Sequence, residues 1–251
     1  MSQTETILIL TPVKNAAEHL ETYWAALEKL TYPKHLLSLG FLESDSTDGT
    51  FELIASKLGK VHGDYRKCCL YKRDYGFVIP ENVPRYAHNI QVQRRTILAR
   101  SRNQLLFRAL TDEAWVLWLD VDVIEYPPDI LETLLATGKP IIQPNCVYDY
   151  GGNSFDLNAW RDDGRLHMHD MRGEGEVARL DAVGGTMLLV RADAHRDGLV
   201  FPPFPYGLAN PKIRNNNYWK GELETEGLGI MADDMGIECW AMPNVEIKHH
   251  R

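Results

Sequence analysis

Two aspartates that directly follow an apolar segment have the residue type and spacing of a metal site. Trp115–Leu119 is followed by Asp120 and Asp122. Side chains alternate along a strand, so both carboxylates project to the same side. Open α/β sheets bind ligands at the carboxyl ends of their strands, and paired oxygen donors suit Mg²⁺ or Mn²⁺ shared with a diphosphate. The pattern therefore favours a metal site over the alternative, two solvated aspartates in a turn.

Polar residues also follow two other predicted strands at the same edge of the sheet. Thr11, Pro12 and Lys14 leave the first strand, and the segment 44–50 leaves the second. Lys14 could neutralise a phosphate, and Asp45 could accept hydrogen bonds from a base or a ribose. The alternative is turn and helix-cap chemistry, for which Ser, Thr and Asp are the usual residues. Capping by neighbouring residues leaves a nucleoside-binding role open for Asp45.

Two more side chains are candidates for the same site. Arg102, inside a predicted helix, could hold a diphosphate or order the loop that carries the aspartates; the alternative is an exposed helical arginine. His249, near the C-terminus, could complete a carboxylate–carboxylate–imidazole metal site. A solvated tail is the alternative for His249.

Apolar periodicity predicts alternating strands and helices, and so an α/β fold with a mostly parallel central sheet flanked by helices. The predicted strands lie at 6–12, 36–42, 115–119, 141–142, 186–190, 239–242 and 245–247, and the predicted helices at 16–30, 51–58, 90–110 and 228–235, with one more beginning near Pro127. The segment 148–179 lacks periodicity and is polar, which favours a substrate loop or lid. Tyr148, Tyr150 and Trp160 in or beside it could stack on a sugar ring or simply pack. No linker or repeat interrupts the chain, so we expect one domain.

Composition excludes several function classes. The chain of 251 residues has 27 Lys and Arg against 35 Asp and Glu, a formal net charge of −8, which argues against a broad nucleic-acid-binding surface. Its four cysteines lack zinc-site spacing, and neither a dinucleotide nor a P-loop glycine motif occurs. Without a signal peptide or a membrane span, the sequence as given is expected to be cytoplasmic.

Taken in order, the motifs resemble those of nucleotide-sugar glycosyltransferases of GT-A fold. They are T-P-x-K-N, S-D-S-T-D-G-T, A-R-x-R-N, W-L-D-V-D, G-G-T-M, E-T-E-G and a terminal P-N-x-x-x-x-H. More narrowly, the sequence resembles the α-mannosyltransferase family of the yeast mannan-polymerase subunits. The resemblance spans nearly the whole chain, and the segment 31–50 is its most specific part.

The resemblance implies transfer of mannose, with retention, from GDP-mannose to a hydroxyl of a mannoside or of another glycan or glycoconjugate. It implies Mn²⁺ (or Mg²⁺) as cofactor, with Asp120 and Asp122 matching the family's D-x-D motif and His249 matching its C-terminal histidine. Residues 1–122 would then form roughly the nucleotide-binding half and 123–251 the acceptor-binding half.

The resemblance also implies roles for other residues. Thr11, Pro12, Lys14 and Asp45 fall where such folds hold the nucleoside, with Arg102 and Asp120 beside the diphosphate. Against the broader GT-A pattern, the acids of the E-T-E-G motif fall where inverting relatives place their acid pair, over the acceptor. These two acids are Glu224 and Glu226. Acids stabilised by a helix macrodipole are the alternative for them.

Two other functions and one other location stay open from the sequence. A nucleotidyltransferase would also use paired aspartates but usually has a basic, Gly-rich first loop. A catalytically silent subunit would bind a sugar nucleotide without turnover. Assembly into a homo- or hetero-oligomer is compatible with the sequence, and family members carry an N-terminal anchor, so the Golgi lumen is the alternative location if an anchor has been removed.

Overall fold

The computed structural model describes residues 5–84, 87–214 and 220–251. The strands are β1 (Ile7–Val13), β2 (Leu37–Glu43), β3 (Lys67–Lys72), β4 (Trp115–Leu119), β5 (Val123–Glu125), β6 (Ile141–Val147), β7 (Trp160–Arg161), β8 (Leu166–His167), β9 (Ala178–Leu180), β10 (Met187–Arg191) and β11 (Cys239–His249). The α-helices are α1 (Leu20–Glu28), α2 (Thr50–Val61), α3 (His88–Ala109), α4 (Ile130–Ala136), α5 (Ala192–Arg196) and α6 (Glu224–Asp234). Short 3₁₀ helices lie at Lys34–Leu36 and Met168–Glu174.

One large sheet organises the chain into a single α/β domain, as predicted. Its strand order is β3-β2-β1-β4-β10-β6-β11-β5, with β9 paired to β11, while β7 and β8 form a separate small sheet. The first four strands are parallel, β6 and β11 are parallel to each other, and β10 runs antiparallel between β4 and β6. The carboxyl ends of β1, β2, β3 and β4 therefore meet at one edge of the sheet.

Helices cover both faces of this sheet, which explains why its central strands are apolar without interruption. In β1, Ile7 and Ile9 belong to the buried cluster formed with α1, α2 and α4. The alternate residues Leu8 and Leu10 belong to the cluster formed with α3, α5 and α6. Side-chain alternation along one strand thus distributes the helices between two layers.

Near the end of the chain, the observed elements differ from the predicted ones. The last helix begins at Glu224 rather than at residue 228, and the two terminal strands are one strand, β11, with a shifted register between Met242 and Glu246. The glycines of α6 obscure the helix in the sequence. They pack closely: a Cβ on Gly229 would lie 2.7 Å from the Ala182 Cα.

The edge strand β3 was not predicted, because its residues are only partly buried and show no alternation. The polar segment 148–179 contains the small β7–β8 sheet and a 3₁₀ helix rather than a long structureless loop. Among the described residues, no helix combines the length and the apolarity that crossing a bilayer requires.

Candidate active site

The carboxyl end of β4 and the end of β11 bring three predicted metal ligands into one region. The Asp120 backbone N–H donates to the Thr186 carbonyl at 2.9 Å, which ties the D-x-D segment to the start of β10. The Asp122 carboxylate lies 3.2 Å from His249 Nε2. The His249 side chain is 12% exposed, so this histidine is not a solvated tail residue.

The electrostatics of this region favour a cation. Burial raises the pKa of Asp120 to about 6, with Asp122, Glu224 and Asp156 adding negative charge and Arg102 opposing them. Burial alone would lower the pKa of His249, but the hydrogen bond and the charge of Asp122, the His250 carbonyl and the charge of Asp120 together outweigh burial and raise it. A carboxyl group that is difficult to ionise, first because it loses contact with water and then because further acids lie nearby, is one whose charged form a divalent cation would stabilise.

The donor set therefore fits Mn²⁺ or Mg²⁺ in its chemistry, two carboxylates and an imidazole. These side chains are not close enough together to coordinate one ion. Within residues 5–84, 87–214 and 220–251, no three His, Cys, Asp or Glu side chains are arranged to hold a metal ion. Asp120 contacts Arg102 instead, and Asp122 contacts His249. An ion here would replace the contact between Asp122 and His249.

Arg102 lies inside the protein, so the alternative of an exposed helical arginine is wrong. Its side chain is 4% exposed, and its guanidinium lies over the rings of Trp118 and Phe201. Nη2 donates to Asp120 Oδ1 at 3.0 Å, and Nε donates to Glu224 Oε1 at 2.9 Å. Arg102 thus contacts the first aspartate of the D-x-D motif, and its role in ordering that loop stays a prediction.

Glu224 is buried and ionised at the first residue of α6. Burial would raise its pKa, but Arg102, Arg95 and hydrogen bonds from Thr225 together outweigh burial and lower it. Thr225 Oγ1 donates to its Oε2 at 3.0 Å. Its backbone φ of 53° lies in the left-handed region, which costs a non-glycine residue about 1 kcal/mol or more. Such strain is typical of functional sites, where the surrounding structure enforces it.

Glu226 faces a different set of partners, although it lies only two residues further along α6. Trp160 Nε1 donates to Glu226 Oε1 at 2.9 Å, and Arg214 Nη2 lies 2.7 Å from the same oxygen. Arg95 Nη1 lies 2.5 Å from the other oxygen. Both oxygens of the Glu226 carboxylate are thus paired with groups of the protein.

These contacts form one row of alternating charges that runs from the D-x-D motif through the start of α6, buried in its middle and half-buried at Asp120 and Arg214. In order, its members are Asp120, Arg102, Glu224, Arg95, Glu226, Arg214 and Glu222. At the far end, burial and the neighbouring Glu226 raise the pKa of Glu222 to about 7. We refer to this row as the charge ladder.

The predicted nucleoside-binding residues lie together at the ends of β1 and β2, but several are already engaged. The Asp45 carboxylate accepts the N–H groups of Tyr75 at 3.0 Å and Gly76 at 2.9 Å. Lys14 Nζ donates to the Phe77 carbonyl at 2.5 Å. Asp45 and Lys14 therefore hold the loop that follows β3 over the edge of the sheet.

The first strand presents its backbone rather than its hydroxyl at this edge. Thr11 is fully buried, and its Oγ1 is hydrogen-bonded to the Tyr23 hydroxyl of α1 at 2.7 Å. Its side chain therefore faces the core and not a ligand. Pro12, the next residue, is half-buried.

Two of the three aromatic residues that the sequence proposed for sugar stacking are accessible. Tyr148 is 41% and Tyr150 is 53% exposed, and the Tyr148 ring lies edge-on to His249. Trp160 is fully buried with its indole N–H bound to Glu226, so a stacking role for it is wrong.

Sequence reasoning missed Arg95 and Asp156, both of which lie inside the site. Arg95 is a member of the charge ladder, and Asp156 accepts the Gly185 N–H at 2.9 Å. Burial raises the pKa of Asp156. The sequence pattern that could have pointed to Asp156 is the G-G-T-M motif. That motif contains the residues that donate to Asp156, but it does not identify Asp156 itself.

Comparison with known proteins gives the same architecture. The family model described as Anp1 matches residues 1–170 and 162–205. The mannan polymerase II complex anp1 subunit of Schizosaccharomyces pombe is 32% identical over 99% of this chain, which spans 64% of that relative. The mannan polymerase complex subunit MNN9 of Candida albicans is 28% identical over 100% of this chain and 76% of its own length. The mannosyltransferase PcManGT from Pyrobaculum calidifontis, solved with GDP-Man and Mn²⁺, aligns with a TM-score of 0.57 at 17% identity, covering 98% of this chain and 58% of that one. This likeness shows the fold, which is that of the GT-A glycosyltransferases, as predicted.

Proposed function

The chain belongs to the Anp1 family, and from that premise we propose that it is a metal-dependent glycosyltransferase. The proposed reaction is transfer of mannose, with retention, from GDP-mannose to a hydroxyl of a mannoside or another glycan. The observation that carries the proposal is the contact of Asp122 with His249 beside the half-buried, cation-favouring Asp120. The names of the relatives, subunits of mannan polymerases, support the choice of sugar.

On the donor side, Asp120, Asp122 and His249 would hold Mn²⁺ or Mg²⁺. When bound, such an ion offsets the charge that develops on a departing diphosphate. Lys14 and Asp45 order the loop at 73–77 over the edge of the sheet, so that the nucleoside is received between this loop and the β1 backbone. The solved PcManGT complex with GDP-Man and Mn²⁺ supports this assignment.

On the acceptor side, Glu224 is the better of the two candidate carboxylates. It is ionised, since Arg102, Arg95 and the hydrogen bonds from Thr225 together outweigh burial, and Arg102 connects it to Asp120. Glu224 would orient an acceptor hydroxyl and stabilise positive charge at the sugar carbon. With front-face attack, the leaving phosphate itself takes the hydroxyl proton. Glu226, which is enclosed by Trp160, Arg214 and Arg95, would support the position of α6.

Three wider features belong to the same proposal. Residues 1–122 would bind the nucleotide and 123–251 the acceptor, a division that follows the sheet, since β1–β4 lie on one side of β10. The relatives are named as subunits of complexes, so we propose assembly with a like or unlike chain. The cellular compartment, cytoplasm or Golgi lumen, stays a prediction. Cell fractionation of the full-length protein measures it.

The test is an assay of the purified chain with GDP-mannose, Mn²⁺ and methyl α-mannoside. We expect metal-dependent release of GDP and an α-linked product in the proton NMR spectrum. Asp122→Asn should abolish the Mn²⁺-dependent release of GDP. Asp149→Asn, at an exposed carboxylate paired with Arg251, should leave this activity intact. Release of pyrophosphate would indicate a nucleotidyltransferase, donor binding without product would indicate a silent subunit, and a β-linked product would contradict retention.

A further inference from the structure

The segment at residues 154–156 contacts both parts of the proposed metal site. It follows β6 and is anchored to it, because the Phe155 N–H donates to the Cys146 carbonyl at 2.7 Å and Ser154 Oγ donates to Asn145 Oδ1 at 2.7 Å. None of these residues was singled out individually from the sequence, although 154–156 lies in the segment 148–179 that was predicted to be a substrate loop or lid. The segment nevertheless places Asp156 against the start of β10 and Phe155 against the end of β11.

Asp156 fixes the turn at residues 184–186. The carboxylate is almost fully buried: Oδ2 accepts the N–H groups of Gly185 at 2.9 Å and Thr186 at 3.3 Å, together with the Thr186 hydroxyl at 3.3 Å, while Oδ1 accepts the Asn158 N–H at 3.1 Å. The fit is tight, because a Cβ on Gly184 would lie 2.0 Å from Asp156 Oδ2. A charged acceptor with this many donors holds a turn firmly.

The same turn supports the first aspartate of the D-x-D motif. The Thr186 carbonyl accepts the Asp120 N–H at 2.9 Å. On its other side, a Cβ on Gly185 would lie 2.7 Å from Arg102 Nη2, the atom that binds the Asp120 carboxylate. The turn is thus wedged between Asp156 and Arg102, and its position determines where the backbone of Asp120 lies.

Phe155 supports the other predicted ligand. Its ring lies 3.8 Å, centroid to centroid, from the ring of His249 at an interplanar angle of 31°. This contact restricts rotation of the imidazole while its Nε2 faces Asp122. Fixing the orientation of a ligating histidine is a known route to higher metal affinity.

We propose that Phe155 and Asp156 are positioning residues of the metal site: Asp156 fixes the backbone of Asp120 through the 184–186 turn, and Phe155 fixes the ring of His249. The inference rests on the metal-dependent function proposed above. Asp156 also adds a negative charge that favours a cation, so its replacement acts on both position and field.

The experiment measures Mn²⁺ binding directly, in the presence of GDP and without turnover, by titration calorimetry and by the Mn²⁺ EPR signal. Asp156→Asn removes a charge. It also replaces one acceptor oxygen with an NH₂ donor, so that a backbone N–H loses its acceptor. Gly184→Ala keeps every charge and displaces the Asp156 carboxylate. Phe155→Leu removes the aromatic contact with His249. We expect each to weaken Mn²⁺ binding by on the order of tenfold or more.

Glu113→Gln is the matched control. Glu113 is also a fully buried carboxylate that accepts a backbone N–H, from Thr111, but it lies just before β4, at the opposite end of that strand. It should lower thermal stability as Asp156→Asn does and leave Mn²⁺ affinity unchanged. If one of the three variants does not fold, the other two carry the test.

The outcomes separate the two proposals. Wild-type protein that binds no Mn²⁺ with GDP would overturn the metal-dependent function and this inference with it. Wild-type protein that binds Mn²⁺, with folded Asp156→Asn, Gly184→Ala and Phe155→Leu binding it equally well, would overturn the positioning role alone. Loss of affinity that Glu113→Gln shares would assign the effect to general stability and overturn the inference as well.

Discussion

Arg102 Nε lies 2.9 Å from Glu224 Oε1, and both side chains are almost completely buried. The two residues are 122 positions apart in the chain. The pair joins α3 to the first residue of α6, and through Arg102 it reaches the Asp120 carboxylate. A single guanidinium therefore connects the proposed donor side of the site to the proposed acceptor side.

Replacement of the two acids of α6 should separate their roles. Because Glu224 is the acid proposed to face the acceptor, Glu224→Gln should lower kcat by roughly 100-fold or more while the KM for GDP-mannose stays unchanged. Because Glu226 is enclosed by Arg95, Arg214 and Trp160, Glu226→Gln should mainly lower the free energy of unfolding, by about 1–3 kcal/mol. Steady-state kinetics and thermal melts of both variants check this, and a larger loss of kcat in Glu226→Gln would reverse the assignment.

The pairing of Arg102 with Glu224 should appear in a double-mutant cycle. Arg102→Met leaves the buried Glu224 and the half-buried Asp120 without their main countercharge, which should cost about 3–5 kcal/mol of stability. Combined with Glu224→Gln, the loss should be less than additive by about 1–3 kcal/mol. Denaturant titrations measure the four species. The exposed pair of Arg66 and Asp112 is the control and should couple by less than about 1 kcal/mol; equal coupling in both cycles would contradict the special role of the buried pair.

The loop after β3 should affect donor binding through Asp45. Asp45→Ala frees the N–H groups of Tyr75 and Gly76, so a nucleoside would have to order the loop when it binds. We expect the KM for GDP-mannose to rise by roughly tenfold, equivalent to about 1.4 kcal/mol, with kcat little changed. Lys14→Met, which releases the Phe77 carbonyl, should have the same effect. Donor affinity that is unchanged in both variants would show that the loop takes no part in binding.

His195 should make stability depend on pH. Trp118 Nε1 donates to its Nε2 at 3.2 Å and its Nδ1 donates to the Leu199 carbonyl, and burial lowers its pKa to about 4. Below the unfolded pKa of about 6.5, His195 binds a proton in the unfolded chain but stays neutral in the folded chain. This contribution is therefore complete above pH 6.5 and is lost as the pH falls towards 4, by roughly 3 kcal/mol in all.

Urea titrations between pH 7 and pH 4 measure this effect. His195→Gln, which cannot ionise, should flatten the pH dependence, and His62→Gln at an exposed position should retain the wild-type curve. The same slope in His195→Gln and in the wild type would assign the acid sensitivity to other groups.

The sequence by itself determined the elements that build the donor side of the site. Trp115–Leu119 is strand β4 at the predicted residues, because a strand buried on both faces leaves a continuous apolar run that is readable without a structure. The position of the two aspartates at its end, and the α/β class, follow from the same local pattern. Glycines concealed the start of α6, since close packing against Ala182 requires residues that otherwise disfavour a helix.

Only the tertiary structure decided which charged side chains meet. Arg102 and Arg95 lie inside the protein and Glu226 is enclosed, yet nothing in the sequence distinguishes them from exposed helical residues. Their burial depends on α3 and α6 packing on the same face of the sheet. Asp156 is the clearest case: three of the four donors to its carboxylate belong to Gly185 and Thr186, about 30 positions away in the chain. Local sequence patterns determine the elements, but the partners of a buried charge are determined by packing.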